Sequence, residues 1–480
     1  MKRLLGAGSL IVTLLVALVA SPAPAPAAPP VPQLHSDGRW LVDGQGRIVL
    51  VHGVNAVWKR PPYVAPNTAG GFTAADADFL AANGFDVVRL GVLFAGVMPQ
   101  RDQIDGSYLA AVDRIVRLLA ARHIWVLLDF HQDLYNEQFQ GEGFPAWSVD
   151  DNGVPDDAHY GFPGNYFASQ ALGRAFDNLW ADTDGTWAGY RAAWTAVAAR
   201  WSHQPYLMGY DVINEPWPGT GWQACFSVAT GCAAFDHTLQ RFEDQARVGI
   251  RQADPTRPVF FEGNVISNSG PPSHLGDTKI PDPELGFSWH DYCGSGAVLG
   301  TNSGPDCATE EQYAFNNAET TDRRLDAAFL LSEFGSTDDV GDIARMTSLA
   351  DQHLVGWTYW AYKAWNDPTG SPGHESLFNN DADLSSLKQP KADVVIRPYP
   401  RAVAGVPISL SFDPTSHVLA FSYTPRRAGG PTEIFVPARH YPAGYRVSVH
   451  GAHVISAPNA SVLQLAANPG ASRVDVTLTP

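Results

Sequence analysis

Basic runs are missing from this chain, cysteine is scarce, and after the first twenty residues no apolar stretch is long enough to cross a bilayer. Lysine and arginine number 32 against 49 aspartates and glutamates, a formal charge of −17. Nucleic acid and anionic membrane surfaces both demand basic patches, so neither is an expected partner. No HxxxH pair or clustered carboxylate accompanies His131 or His290, which argues against zinc, and no metal or cofactor is expected. Nor is there an internal repeat, or a low-complexity tract beyond an Ala/Pro stretch near the start.

What is present begins with a secretory pattern. Lys2 and Arg3 form a positive n-region, Leu4 to Ala20 an apolar h-region, and Ala25-Pro26-Ala27 a small-residue cleavage site. Residues 1–28 are therefore read as a signal peptide and the mature protein as secreted and extracellular. The remaining 450 or so residues exceed what one hydrophobic core usually serves, so a large and a smaller domain are expected. In an exported chain, the close pairs among Cys225, Cys232, Cys293 and Cys307 favour disulfides over metal ligation. Four cysteines allow three connectivities. Cys225–Cys232 and Cys293–Cys307 are expected, because residues near in sequence meet most cheaply.

From residue 48 to 363, short β-branched or aromatic runs alternate with helix-length segments, the pattern of βα units around a parallel sheet. Eight runs are present: Ile48–Val57, Val87–Phe94, Trp125–Asp133, Leu207–Glu215, Val259–Gly263, Leu285–Tyr292, Ala328–Gly335 and Val355–Lys363. Segments such as Thr73–Asn83 and Tyr108–Arg122 read as helices between them. The expected fold class is α/β, a (β/α)8 TIM barrel over 29–390. After Pro390, proline punctuation and short alternating strands, among them Val418–Tyr423 and Arg473–Leu478, predict a C-terminal β-sandwich over 391–480. Two connections exceed what barrel closure needs. Leu134 to about Thr186 carries Phe139, Phe144, Trp147, Tyr160, Phe162, Tyr166, Phe167, Phe176 and Trp180, and Trp217 to Cys232 adds Trp217, Trp222 and Phe226. Loops of that length are usually lids or binding walls.

A TIM barrel gathers its chemistry at the C-terminal ends of its strands, so polar residues that close apolar runs converge on one pocket. The second run offers Arg89, the third His131 and Asp133, the fourth Asn214 and Glu215. The sixth offers His290 and Tyr292, the seventh Glu333 and the eighth Trp360. Taken alone, a strand-end glutamate is equally well the partner of a buried Arg89. Two facing glutamates with an Asn before one of them fit glycoside hydrolysis, which needs one carboxyl protonated to donate to the leaving oxygen and one ionised. Proximity of like charges does that sorting.

As a set, Arg89, His131, Asn214, Glu215, His290, Tyr292, Glu333 and Trp360 resemble the motif residues of glycoside hydrolase family 5, clan A. The resemblance spans roughly residues 35 to 390. It implies Glu215, in Asn214-Glu215-Pro216, as acid/base and Glu333 as nucleophile, with retention of configuration. It further implies that Asn214 contacts the sugar 2-hydroxyl, that Tyr292 and Arg89 hold the nucleophile, and that Trp360 stacks on the sugar, Trp365 being a second candidate. Within the family the chain looks most like the endoglycoceramidases. That likeness rests on Gly53-Val54-Asn55 with Lys59, Asp129-Phe130-His131-Gln132-Asp133, Gly143-Phe144-Pro145-Ala146-Trp147, Leu331-Ser332-Glu333-Phe334-Gly335 and Tyr359-Trp360-Ala361-Tyr362-Lys363. It implies a glycosphingolipid substrate, sugar contacts from Lys59, Asp133 and Trp180, and a lipid held by the aromatic loops; a secreted β-1,4-glucanase of the same family and a non-catalytic glycan- or lipid-binding barrel are the alternatives. A monomer in transient contact with a membrane or micelle surface is expected.

Overall fold

The computed structural model describes residues 32–293 and 306–480, so the expected leader lies outside the described residues. Three short strands, β1 (Leu34–Asp37), β2 (Trp40–Asp43) and β3 (Ile48–Val49), pair into an antiparallel sheet. The barrel follows as β4 (His52–Ala56), β5 (Val87–Val92), β6 (Trp125–Phe130), β7 (Leu207–Asp211), β8 (Val259–Glu262), β9 (Leu285–Asp291), β10 (Ala328–Phe334) and β11 (Gly356–Tyr359). Its strands close in chain order, with every neighbouring pair parallel. All eight expected runs supply a barrel strand, but the first one divides. Ile48 and Val49 leave it for the small sheet, and the barrel strand starts at His52.

The small sheet plugs the bottom of the barrel. Leu34, Leu41 and Val49 form one buried cluster with Val87, Trp125, Phe260 and Ala328, which begin or nearly begin their barrel strands. With the lower end filled by apolar side chains, the polar residues are left to the upper end. Helices cover the outside. Ala74–Ala82 starts at Thr73, whose backbone N–H donates to the Asp76 carboxylate at 2.7 Å. Gly106–Ala120 is capped by Asp105, which accepts from the N–H groups of Ser107 and Tyr108. Both lie within a residue or two of where periodicity predicts them.

Beyond the barrel, β12 (Tyr399–Ala402), β13 (Gly405–Asp413), β14 (Val418–Pro425), β15 (Thr432–Phe435), β16 (Arg446–His450), β17 (Ala452–Val454), β18 (Val462–Ala467) and β19 (Val474–Thr479) form two four-stranded antiparallel sheets. Leu419, Phe421, Ile434, Leu465 and Val476 fill the space between them. The helix Gln389–Val395 buries Ala392, Val394 and Val395 in the barrel's core. The sandwich strands thus begin at Tyr399, several residues after the expected boundary. Both expected disulfides, Cys225–Cys232 and Cys293–Cys307, are formed.

Candidate active site

Arg89 on β5 anchors the floor of the upper cavity. Its guanidinium is fully buried and spans the barrel, reaching Asp211 (2.7 Å), Asp129 (3.0 Å), Glu333 (2.5 Å) and the side-chain oxygens of Asn214 (3.0 Å) and Asn55 (3.2 Å). Burial disfavours its charge, yet Asp129, Asp211, Glu333 and Glu262 carry its pKa well above the usual arginine value. It is a permanent cation that fixes one oxygen of Glu333 and orients Asn214.

Glu333, the penultimate residue of β10, is held from both sides: Tyr292 Oη donates to its second oxygen at 2.9 Å. Gly335 lets the chain turn away after it, with φ of +104° and so little room that a Cβ there would lie 2.3 Å from the Tyr359 ring. Glu215 follows β7 with a left-handed φ of +43°, unusual outside glycine. Its N–H donates to Glu262 (3.1 Å) and its carbonyl accepts from Gln132 (3.0 Å), which holds that conformation in place.

His290 on β9 sits between the two glutamates, with Nδ1 2.7 Å from Glu215 and 3.3 Å from Glu333. One carboxylate oxygen from each glutamate and a His290 ring nitrogen lie within 4.8 Å of one another. Burial, with Asp133 adding to it, pushes Glu215 up to about 7. Burial raises Glu333 too, and Arg89 opposes that rise without cancelling it. The imidazole of His290 is driven by burial down to about 3, against the pull of Glu333, so it is neutral. So close an approach of the two carboxyls accords with a retaining pair, which stands ~5–5.5 Å apart, better than with an inverting pair at ~6.5–9.5 Å.

Beside the pair lies a second polar cluster. Lys59 Nζ contacts Asp133 (2.6 Å), Asp367 (3.0 Å) and Thr369 Oγ1 (2.8 Å), and lies 4.5 Å from the centre of the Trp360 ring. His131 stacks on that indole and makes a 2.8 Å bond to Asp129, which raises its pKa to about 10 despite burial. Burial opposes the ionisation of Asp133, but Lys59 and His131 hold its pKa well below the ordinary range. Two groups of ligand-type side chains, His131 with Asp133 and Glu142, and Glu215 with His290 and Glu333, are close enough to hold a metal. Each already has a cation beside it, Lys59 for the first and Arg89 for the second.

These groups line one cavity of about 710 Å3, together with an apolar wall of Phe162, Tyr166, Phe167, Trp217, Phe226 and Ile266. The cavity is thus polar at the carboxylates and aromatic to one side. Of the residues expected to contact sugar, Lys59, His131, Asp133, Asn214, Tyr292 and Trp360 line it, with Arg89 and His290 packed against their side chains. Trp180 does not reach it. Its ring packs on Phe235 and Phe242 and its Nε1 donates to the Trp217 carbonyl, so it braces the wall from behind. Trp365 turns away to pack on Trp58, leaving Trp360, the residue just after β11, as the indole that faces the cavity. The aromatic loops are also less open than expected. Phe139, Phe144 and Phe176 are buried core, while Trp222 backs Phe167, Trp217 and Phe226 without lining the cavity.

Reading the sequence missed Asp367 and Thr369, which come from the segment after β11, and Glu142, which comes from the long loop after β6. No strand pattern marks them. Asp129, Asp211 and Glu262 were findable, since each is a carboxylate in or at the end of an apolar barrel strand, the same signal read at Glu333.

A closed parallel barrel with two facing carboxylates on its upper rim, at the fourth and seventh strands, defines a glycoside hydrolase. Residues 42–366 match the family described as Cellulase (glycosyl hydrolase family 5), and residues 397–479 match the glycoside hydrolase family 5 C-terminal domain. The chain belongs to glycoside hydrolase family 5. It is 34% identical over 453 residues to endoglycoceramidase I of Rhodococcus hoagii (strain 103S), covering 92% of this chain and 87% of that one. Among solved structures it is similar to endo-glycoceramidase II from Rhodococcus sp. in its ganglioside GM3 complex (TM-score 0.76, 27% identity, 92% of this chain and 99% of that one). The same enzyme as its lactosyl-enzyme intermediate is likewise similar (TM-score 0.76, 28% identity, 92% and 99%).

Proposed function

We propose that this protein is a secreted, retaining endo-β-glycosidase that cleaves the bond between the oligosaccharide and the ceramide of glycosphingolipids. The observation that carries the reading is the divided cavity: a polar floor holding two carboxylates opens beside a wall of Phe162, Phe167, Trp217 and Phe226. A substrate with a sugar head and an apolar tail satisfies both halves, whereas an oligosaccharide alone leaves the aromatic half wet. A relative supports it, since endo-glycoceramidase II from Rhodococcus sp. is solved both in complex with ganglioside GM3 and as a lactosyl-enzyme intermediate.

In this reading Glu333 attacks the anomeric carbon. Arg89 and Tyr292 occupy its two oxygens and keep it ionised and aimed. Glu215 is protonated near neutrality and gives its proton to the ceramide oxygen as the bond breaks. Once Glu333 is an ester its charge is gone, the pKa of Glu215 falls, and Glu215 takes a proton from the incoming water. Lys59, Asp133 and Trp360 receive the sugars, Asn214 the 2-hydroxyl, and the aromatic wall the lipid. Secretion rests on the leader and the two disulfides, and the enzyme works as a monomer touching a micelle or membrane through the cavity's apolar rim.

Mass spectrometry of products from a mixed glycolipid extract tests the substrate: intact oligosaccharide and free ceramide are expected. Cleavage of cellopentaose as readily as glycolipid would replace this reading with that of a glucanase. NMR of the first product tests the chemistry, and an α-anomer appearing first would remove Glu333 as nucleophile.

A further inference from the structure

Beneath the catalytic pair, two buried polar atoms face each other at 3.6 Å: Oε2 of Glu262 and Nε2 of His290. Neither has a hydrogen-bond partner among the described residues. The distance is longer than a formed hydrogen bond, and catalytic contacts of this kind often reach full strength only in the substrate complex. A carboxylate facing the lone pair of an imidazole would be two acceptors in opposition. One proton on either atom resolves both.

The rest of His290 decides where that proton sits. A neutral imidazole carries one N–H. Nδ1 points at two carboxyl groups, Glu215 at 2.7 Å and Glu333 at 3.3 Å, and Glu333, bound to Arg89, is an acceptor. The N–H therefore belongs on Nδ1, which leaves Nε2 as a lone pair in need of a donor. Glu262 has the complementary arrangement. Its Oε1 accepts the N–H of Glu215 at 3.1 Å, as the carbonyl oxygen of a carboxylic acid does, and Oε2 is the oxygen left to carry hydrogen.

We propose that Glu262 is a positioning residue for the reaction: its carboxyl is held as the neutral acid, Oε2–H donates to Nε2 of His290, and this fixes the tautomer whose Nδ1–H steadies Glu215 and Glu333. The proposal rests on the reading of those two glutamates as acid/base and nucleophile. No proton leaves Glu262 during turnover; it orients and does not react. The charged groups facing it are Arg89 from β5, Asp211 from β7, Glu215 from the following loop, His290 from β9, Glu333 from β10, and Glu243 from the helix Ala233–Arg251, which accepts the Glu262 N–H at 2.8 Å. Burial and the surrounding carboxylates, Asp211 foremost, push Glu262 well above the ordinary glutamate range, and Arg89 does not reverse it. Glu262 also holds the left-handed backbone of Glu215, so one side chain sets both the path of the acid and the tautomer of its neighbour.

Nitrogen-15 NMR of histidine-labelled protein reads the tautomer directly. Nε2 of His290 is expected as an unprotonated acceptor with the proton on Nδ1; a protonated Nε2 would overturn the proposal without touching the roles of Glu215 and Glu333. The alkaline limb of the kcat/KM profile on a soluble aryl lactoside gives a second reading. E262Q retains a neutral donor at the same place and is expected to leave that limb where it stands. If Glu262 were ionised, E262Q would remove a negative charge, make Glu215 more acidic and move the limb to lower pH, and the proposal fails. E262A removes the donor and is expected to lower kcat roughly ten- to a hundredfold with KM little changed, the scale of leaving one buried polar group without its hydrogen bond. An E262A loss no greater than that of E262Q also overturns it. Should E262A not fold, the tautomer and the E262Q profile still decide.

Discussion

Glu215 and Glu333 differ less in burial than in what surrounds them, and the difference gives each its own failure. Glu333 has Arg89 and Tyr292 on its two oxygens. Replacing it with Gln removes the covalent step, so activity on every substrate should fall by several orders of magnitude. Glu215→Ala should cost ~10²–10⁴-fold on glycolipid but far less on an aryl glycoside whose leaving group needs no proton. Comparing the two substrates across both variants checks the assignment, and equal losses would remove Glu215 as the acid. Because Glu215 must carry a proton to act and is pushed up to about 7 by burial and by Asp133, kcat/KM should decline as pH rises through neutrality. Asp133→Asn removes the neighbouring negative charge and should shift that decline toward acid, whatever it does to KM. These residues were legible because each ends an apolar run, where a barrel core tolerates no idle carboxylate. Trp180 misled because its partners Phe235 and Phe242 lie on a helix more than fifty residues further along, and local pattern does not reveal which face of a tryptophan is occupied.

The long connections after β6 and β7 behave as one wall, since Trp217 from the second packs on Tyr166 and Phe167 from the first. Phe226 is the exposed edge of that wall, 43% accessible, and its neighbour Cys225 is tied to Cys232. Phe226→Ala should lower kcat/KM on glycosylceramides roughly tenfold, the worth of about two methylene contacts at ~0.8 kcal/mol each. A soluble aryl lactoside, which never reaches the wall, should be cleaved as before. Parallel assays of the two substrates read the difference, and equal loss on both would mean that the wall supports the floor and does not bind lipid. Loop length and aromatic content alone marked these segments as a binding wall. Which rings face the cavity was not legible, because Phe139, Phe144 and Phe176 look the same in sequence as Phe162 and Phe167 yet pack inward. The division of Ile48–Val57 was hidden for a related reason: the uninterrupted apolar stretch Ile48–Val51 gives no sign that its first two residues pair with a hairpin.

Barrel and sandwich share side chains across their boundary. His52 of β4 stacks between Trp357 and Tyr399, Asp351 pairs with Arg397, and Ile48 bonds with Val403 through the backbone while lying in the sandwich core. A chain ending at 396 would therefore expose Ile48 and Leu50 and lose a partner for buried Asp351. It should be insoluble or melt far below the full-length protein, while the intact enzyme shows one calorimetric transition; two separated transitions would show the halves to be independent. The sequence made both halves visible, through strand spacing and proline punctuation, but not this shared seam, in which Ile48 and His52 meet Val403 and Tyr399 about 350 positions further along. Charge acts over the same distances. The molecule carries a formal −17, yet the proposed contact with a lipid surface is through an apolar rim with Phe162 and Phe226 exposed. Approach to a surface of the same sign is then opposed by a long-range term that the rim, acting only at contact, cannot offset. Hydrolysis of a glycolipid in mixed micelles should accordingly slow as anionic detergent or lipid replaces neutral. Raising ionic strength from ~0.01 M, where the Debye length is ~30 Å, to ~0.15 M, where it is ~8 Å, should restore most of the rate. A soluble aryl lactoside should show neither effect, and the same salt response on that substrate would place the charge effect inside the cavity and not at the lipid surface.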